Sequence, residues 1–154
     1  MGKKKLLYIG IVVILILLLT QCAGGKKSVA IDFAEASMVD ANAKKAVSLM
    51  SEDYLDQMLD RYDAPTKKVL ISNMQDSFDN FQDEMVENYG NRWKSKVEYI
   101  DGYTEDDGRY FVVLNITFKG TGGLLGLKDL EETTELSVAL VKEGGKWRVD
   151  DLYE

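Results

Sequence analysis

Histidine is absent from the 154 residues, and cysteine and proline each occur once. Without histidine, the chain has no serine–histidine–aspartate triad, no histidine-ligated zinc and no imidazole acid–base catalyst. The single cysteine, Cys22, excludes an internal disulfide, so the fold must be stabilised by apolar burial and backbone hydrogen bonds. If the Cys22 thiol is acylated, a thiol nucleophile is excluded as well, and any catalysis would use Asp, Glu, Tyr, Lys, Ser or Thr side chains.

Acidic residues outnumber basic residues in the part of the chain that follows Cys22. All 26 acidic residues but only 16 of the 19 basic residues follow Cys22, which gives this part a net charge of −10. Such a charge repels nucleic acid and anionic lipid headgroups. We therefore predict no nucleic-acid partner, and any attachment to a membrane must come from the N-terminus.

The N-terminus has the organisation of an export signal. Three lysines precede an apolar run over residues 6–19, and small residues follow Cys22. As a helix this run would be roughly 21 Å long, which is short for the about 30 Å hydrocarbon core but typical of a signal peptide.

Residues Leu19, Thr20 and Cys22 resemble the lipobox of bacterial lipoproteins. The resemblance implies that the leader is removed just before Cys22 and that the Cys22 thiol carries the lipid. The pattern departs from the family at Gln21, where a small residue is usual. An uncleaved membrane anchor from residue 6 to about residue 23 is therefore the alternative.

These observations divide the chain into three segments. Residues 1–22 are the signal peptide or anchor, residues 23–27 form a short flexible tether, and residues 28–154 form one domain. Both alternatives place the domain on the extracytoplasmic side of the cytoplasmic membrane.

Residues 28–89 have helical periodicity. Apolar residues recur every three or four positions. Residues 40–42 indicate a turn or an N-cap, and residues 51–53, beginning with Ser51, cap a short helix. The longest predicted helix spans residues 66–89, and Gly90 ends it. Its buried face is predicted to contain Val69, Leu70, Met74, Phe78, Phe81, Met85 and Val86.

From residue 94 onward, apolar residues alternate with polar ones, as in strands. Four strands are predicted, over residues 94–104, 109–119, 132–142 and 146–152. Gly144 and Gly145 form a two-residue hairpin turn between the last two strands. Helices followed by an antiparallel meander predict an α+β fold. The inward face of the second strand is predicted to contain Tyr110, Val112, Leu114, Ile116 and Phe118.

Two segments together resemble the nuclear transport factor 2-like superfamily, especially its small bacterial lipoproteins of unknown function. They are the helical residues 33–54 and the terminal hairpin 140–152, with its Gly-Lys-Trp-Arg-Val-Asp run. The resemblance implies a cone-like (cystatin-like) fold, in which N-terminal helices pack in a strongly curved antiparallel sheet that can enclose a pocket. The superfamily includes steroid isomerases, polyketide cyclases, transport factors and non-catalytic modules, so the fold does not decide the function.

In enzymes of this superfamily an inward Asp acts as a base, and an inward Tyr or acid stabilises an enolate. Strand alternation predicts that Asp101 faces inward with Tyr99 and Tyr103, and that Asp151 faces inward near the C-terminus. These four residues are the candidates for an isomerase- or cyclase-like enzyme. Both carboxylates lie near strand ends, where side chains reach water, so no catalytic residue is assigned.

The segment 120–127 interleaves glycines with Leu124, Leu125 and Leu127. If exposed, these leucines would form a binding site for a small apolar ligand or a partner protein. If folded back, they would cap the open end of the core. The acidic repeats on the predicted helices indicate solvated faces and not calcium loops, so no metal or cofactor is predicted.

The sequence thus predicts a membrane-tethered, extracytoplasmic, non-catalytic module that binds a small apolar ligand or an envelope protein. The isomerase- or cyclase-like enzyme is one alternative. The other is a structural envelope component, such as a homodimer that pairs through the outer sheet face at Phe111, Val113 and Val141.

Overall fold

The computed structural model describes residues 25–122 and 128–153. The predicted leader, the lipidation candidate Cys22, and Leu124, Leu125 and Leu127 lie outside the described residues. Among those described, no helix is both long enough and apolar enough to cross a membrane.

Helices form the first half of the described chain, as predicted. They are α1 (Gly25–Ala34), a π-helical turn (Glu35–Val39), α2 (Ala43–Leu49), α3 (Glu52–Arg61) and α4 (Lys67–Tyr89).

The second half is one antiparallel sheet with the strand order β1-β2-β3-β4. Its strands are β1 (Lys94–Thr104), β2 (Tyr110–Gly122), β3 (Lys128–Glu143) and β4 (Lys146–Tyr153). The predicted α+β class and the meander are therefore confirmed. Strands β2 and β3 extend further than predicted, because residues 120–122 pair within the sheet.

Side-chain caps explain where the helices begin. The Asn42 side chain accepts a hydrogen bond from Lys45 N at 3.0 Å, and the Ser51 hydroxyl accepts one from Tyr54 N at 3.0 Å. The predicted cap at Ser51 is therefore confirmed, and of the two alternatives for residues 40–42 the structure has the N-cap, at Asn42. Each bond satisfies one of the backbone donors that a helix N-terminus leaves unpaired.

The predicted tether is wrong for residues 25–27, which form the first turn of α1. The ammonium group of Lys26 lies 3.9 Å from the ring centre of Tyr110 and 4.7 Å from that of Trp147. Cation–π contacts of this kind contribute about 0.5–1 kcal/mol each at exposed sites, and they hold this turn against the sheet.

The core lies between the helices and the inner face of the sheet. Val112, Leu114 and Ile116 of β2 are fully buried there, which confirms the predicted inward face of that strand. The facing residues of the other strands are buried as well: Leu136, Val138, Leu140 and Val149.

On α4, the buried face differs by two residues from the prediction. Leu70, Met74 and Met85 are buried as expected, but Val69 and Val86 are 36% and 37% exposed. Each of these valines neighbours a buried-face residue in sequence, and one residue along a helix is a rotation of about 100°. Both side chains therefore point away from the sheet.

Two β-bulges bend the sheet. In β1, Tyr99 pairs with Leu114 and Asp101 with Val113, so Ile100 has no partner. In β4, Asp150 is unpaired in the same way, between Val149 and Asp151. Bulges increase strand twist and curvature. They allow the four strands to curve over the helices.

The free edge of β4 is partly covered by the segment between α2 and α3. Ser51 N donates to Val149 O at 2.7 Å, and the Ser51 hydroxyl donates to Asp150 Oδ1 at 2.9 Å. The bulged residue of β4 is thus joined to the N-terminus of α3. This contact fixes α3 against the sheet.

Candidate functional site

A cavity of about 260 Å³ lies between the helices and the inner face of the sheet. One water molecule takes up about 30 Å³ of liquid, so the cavity has room for roughly eight or nine groups of that size. Apolar side chains predominate among the residues that line it: Phe33, Ala34, Ser37, Met38, Met50, Tyr54, Met58, Arg61, Tyr62, Met74, Phe78, Phe81, Leu136 and Leu152.

Every layer of the fold contributes to the wall of this cavity. The end of α1 and the π-helical turn form one side, α3 a second and α4 a third, while Leu136 of β3 and Leu152 of β4 form the floor. Because these residues are far apart in sequence, the cavity exists only in the folded chain.

Methionines are concentrated around the cavity. Four of the six in the chain line it, namely Met38, Met50, Met58 and Met74. Their side chains are unbranched and adjust easily to the shape of a neighbour. The cavity can therefore adapt to apolar molecules of different outline.

Ser37 provides a polar group in this apolar wall. Its hydroxyl is buried and makes no hydrogen bond with any described residue. A buried hydroxyl without a partner costs about 1–3 kcal/mol, so native proteins rarely retain one without a reason. Ser37 lies in the π-helical turn, where Asp40 N donates to Glu35 O at 2.8 Å, and such turns are frequent at functional sites.

Tyr54 provides a second polar group and is only 2% exposed. Burial raises the pKa of its phenol to about 12, although the nearby positive charge of Arg61 acts in the opposite direction. The phenol is therefore neutral at physiological pH and can donate a hydrogen bond into the cavity.

Arg61, the last residue of α3, provides the charge of the site. It is the one charged side chain that lines the cavity among the described residues, and it forms none of the ion pairs found there. Because Arg61 is exposed and also lines the cavity, its guanidinium marks the side that opens to solvent.

The predicted inward positions of Asp101 and Asp151 are wrong. Asp101 pairs with Val113 and Asp151 pairs with Ala139, both on the outer face of the sheet. Each bulge inserts one extra residue before the carboxylate. Because side chains along a strand alternate between the two faces of the sheet, the extra residue moves the carboxylate to the opposite face. Neither side chain lines the cavity.

The same bulge at Ile100 separates the two candidate tyrosines. Tyr99 pairs with Leu114 on the inner face, whereas Tyr103 pairs with Phe111 on the outer face. The predicted group of Asp101, Tyr99 and Tyr103 on one face is therefore not formed.

The outer face carries an aromatic cluster that the alternation pattern does not reveal. The ring of Phe111 stacks on Tyr103 at 5.3 Å and contacts Tyr153 at 5.7 Å, measured between ring centres. Arg109 lies 5.5 Å from the Phe111 ring centre. Phe111, proposed from sequence as part of an exposed pairing surface, is only 5% exposed, while Val113 and Val141 are half-buried.

The residues missed by sequence reasoning are Ser37, Tyr54 and Arg61. The spacing of Tyr54 in its helix is that of an ordinary core residue, and nothing in the pattern distinguishes Ser37 or Arg61 from surface positions. Among the described residues, no three acidic side chains are placed to hold a metal ion.

No protein-family model matches the chain. No curated protein matches it either. Similar solved structures include one named for a calcium/calmodulin dependent protein kinase II association domain, from Xanthomonas campestris. It is 17% identical, with a TM-score of 0.46 over 82% of this chain and 81% of that one.

Two further structures are less similar. Aln2 from a Streptomyces species is 15% identical, with a TM-score of 0.36 over 53% of this chain and 57% of that one. The intermembrane space region of the chloroplast protein ARC6 is 8% identical, with a TM-score of 0.39 over 87% and 90%. Similarity at this level does not define a function.

Proposed function

We propose that this chain is a membrane-tethered, extracytoplasmic binding module with a nuclear transport factor 2-like fold, and that it binds one small apolar molecule in its internal cavity. The observation that carries the proposal is the 260 Å³ cavity with its predominantly apolar wall. Helices packed against a bulged antiparallel sheet that ends in the Gly144-Gly145 hairpin support the fold assignment.

The energetics of the cavity favour an occupant. Because the cavity opens to solvent beside Arg61, water can reach its apolar wall. Covering that wall with an apolar ligand would contribute about 25 cal/mol for each Å² of apolar surface removed from water. An apolar ligand would restore the lost contacts of the wall.

The binding test uses 1-octanol as the probe and the full chain in zwitterionic nanodiscs, with empty nanodiscs as the blank. Calorimetry should show saturable binding of one octanol per chain. Ser37→Leu places a larger apolar side chain in the cavity, and we expect it to weaken octanol binding at least tenfold. Ser77→Leu is the matched control because Ser77 is exposed on the surface of α4 and is not in the wall.

Circular dichroism must show that Ser37→Leu folds. Non-saturable octanol uptake, or equal affinity in wild type and Ser37→Leu, would contradict the proposed site.

The tether rests on the sequence of residues 1–22. The intact mass of the membrane-extracted protein tests it. A mass that corresponds to a chain beginning at Cys22 with attached acyl groups supports lipidation, and the mass of residues 1–154 supports the uncleaved anchor. Full release of the wild-type protein from membranes at low salt would contradict both.

A further inference from the structure

We infer that the ligand is an anionic amphiphile, with one carboxylate head and an apolar body, and that Arg61 binds the carboxylate. This inference rests on the proposed function, because it specifies the class of molecule that the same cavity takes. It is carried by the chemistry of three polar side chains that line the cavity: Ser37, Tyr54 and Arg61.

All three polar groups can donate hydrogen bonds. A guanidinium has five N–H donors and no acceptor, and hydroxyl groups can rotate to donate. The phenol of Tyr54 is protonated at neutral pH, as phenols are, and it lies close enough to Arg61 for the guanidinium charge to act on it. A carboxylate accepts hydrogen bonds from all three groups and is attracted by the guanidinium charge. An ammonium head could donate to the two hydroxyl oxygens, but the guanidinium would repel it.

The surroundings limit where an anion can bind. The part of the chain after Cys22 has a net charge of −10, and the acidic residues Asp56 and Asp60 lie on the same helix as Arg61. A third carboxylate, that of Asp151, is close enough for its charge to act on the buried phenol of the wall. None of these three aspartates lines the cavity. The attraction is therefore local to the Arg61 guanidinium, and an anion without an apolar body should not bind.

The size of the cavity sets the length of the apolar body. Space for roughly eight or nine methylene-sized groups fits an eight-carbon chain. The body lies against the methionines and phenylalanines of the wall, and the head lies where Arg61 reaches solvent. This orientation keeps the carboxylate hydrated on one side, which lowers the cost of taking it out of water.

Three probes of equal chain length test the inference: octanoate, 1-octanol and octylamine. At pH 8 their heads are negative, neutral and positive. Each is titrated by calorimetry into the full chain in zwitterionic nanodiscs, with empty nanodiscs as the blank. We expect octanoate to bind about fivefold more tightly than 1-octanol and at least tenfold more tightly than octylamine. Acetate should show no binding.

The decisive variant is Arg61→Gln, which keeps a long polar side chain at an exposed helix end. It should weaken octanoate binding about tenfold and leave 1-octanol within twofold of wild type. Arg92→Gln makes the same change of charge at an exposed residue outside this cavity, and should leave all three affinities unchanged.

The outcomes separate the inference from the proposed function. If 1-octanol binds but octanoate binds no better, or if Arg61→Gln leaves octanoate affinity unchanged, the inference is wrong and the apolar site stands. If octylamine binds most tightly, the inference is wrong as well. If none of the three probes binds saturably, both the inference and the proposed function fail.

Discussion

Ser51 illustrates how one side chain can join two parts of the fold. Its hydroxyl accepts a hydrogen bond from Tyr54 N and donates one to Asp150 Oδ1, and the residue is completely buried. The first bond caps α3, and the second holds the bulge of β4 against it. A serine identified from sequence as a helix cap therefore also positions the helix whose residues Tyr54 and Arg61 line the cavity.

We predict that Ser51→Ala lowers the free energy of unfolding by about 2 kcal/mol, because it removes the cap and leaves Asp150 without its partner. Urea unfolding measures this loss. Asn42→Ala is the matched control, because Asn42 caps α2 with one exposed bond, and we expect it to cost about 1 kcal/mol or less. Equal losses in the two variants would show that the bond to Asp150 contributes nothing.

At the scale of elements, strand pairing decides which residues face the cavity. Local alternation places the inward residues of β2 correctly, because that strand is regular from residue 110 to residue 122 in its pairing with β3. In β1 and β4 the alternation fails beyond the unpaired residues Ile100 and Asp150. A bulge depends on how two strands align, so the pattern of one strand does not reveal it.

The contact between α4 and β2 depends on the absence of a side chain at Gly120. A Cβ atom there would overlap the backbone carbonyl oxygen of Tyr89. The alternation pattern ends the second strand at residue 119, but Gly120 lies in β2 and pairs with Leu130. The glycine lets the last turn of the long helix approach the strand.

We predict that Gly120→Ala destabilises the fold by about 3 kcal/mol or more, because backbone must move to accept the methyl group. Gly108→Ala is the control. Gly108 has a φ of +86° but open space around it, so that variant is strained without a clash and should cost about 1–2 kcal/mol. Thermal and urea unfolding of both variants measure the difference. A loss at Gly120 no greater than the loss at Gly108 would contradict the close approach.

At the scale of the whole molecule, the buried phenol of Tyr54 couples stability to pH. Its pKa is raised from 10.0 to about 12, mainly by burial. When folding raises the pKa of a group, the folded state holds the proton more tightly than the unfolded state. The contribution of that group to the free energy of unfolding is complete below the pKa of the unfolded chain, and it is lost as the pH rises through the pKa of the folded chain. The affected interval is therefore about pH 10 to pH 12.

We predict that the wild type loses about 2–3 kcal/mol of unfolding free energy through Tyr54 in this interval. Tyr54→Phe should remove that part of the loss and show a shallower decline. Urea unfolding from pH 8 to pH 12 measures both curves. The pKa of Tyr89 is also raised, chiefly by its hydrogen bond to Glu132, so some alkaline dependence should remain in the variant. Parallel curves would mean that Tyr54 is not buried in solution.

Most of the elements were predictable because they follow local rules. Periods of 3.6 and 2 residues identify the helices and strands, and Ser51 identifies a helix start. The errors arose where a position depends on packing, as at Val69 and Val86. Periodicity alone defines an apolar stripe only to within about one residue, and the neighbouring sheet selects which residues of that stripe are buried.

The sequence by itself determined the acidic surface, the exclusion of histidine chemistry, the order of helices and strands, and the cap at Ser51, because each depends on composition or on residues close together in the chain. Only the tertiary structure decided which face Asp101 and Asp151 occupy and which side chains enclose a cavity. Those outcomes depend on strand register and on the packing of Ser37, in the π-helical turn, near Tyr54 and Arg61 of α3. No local pattern encodes the register or this packing.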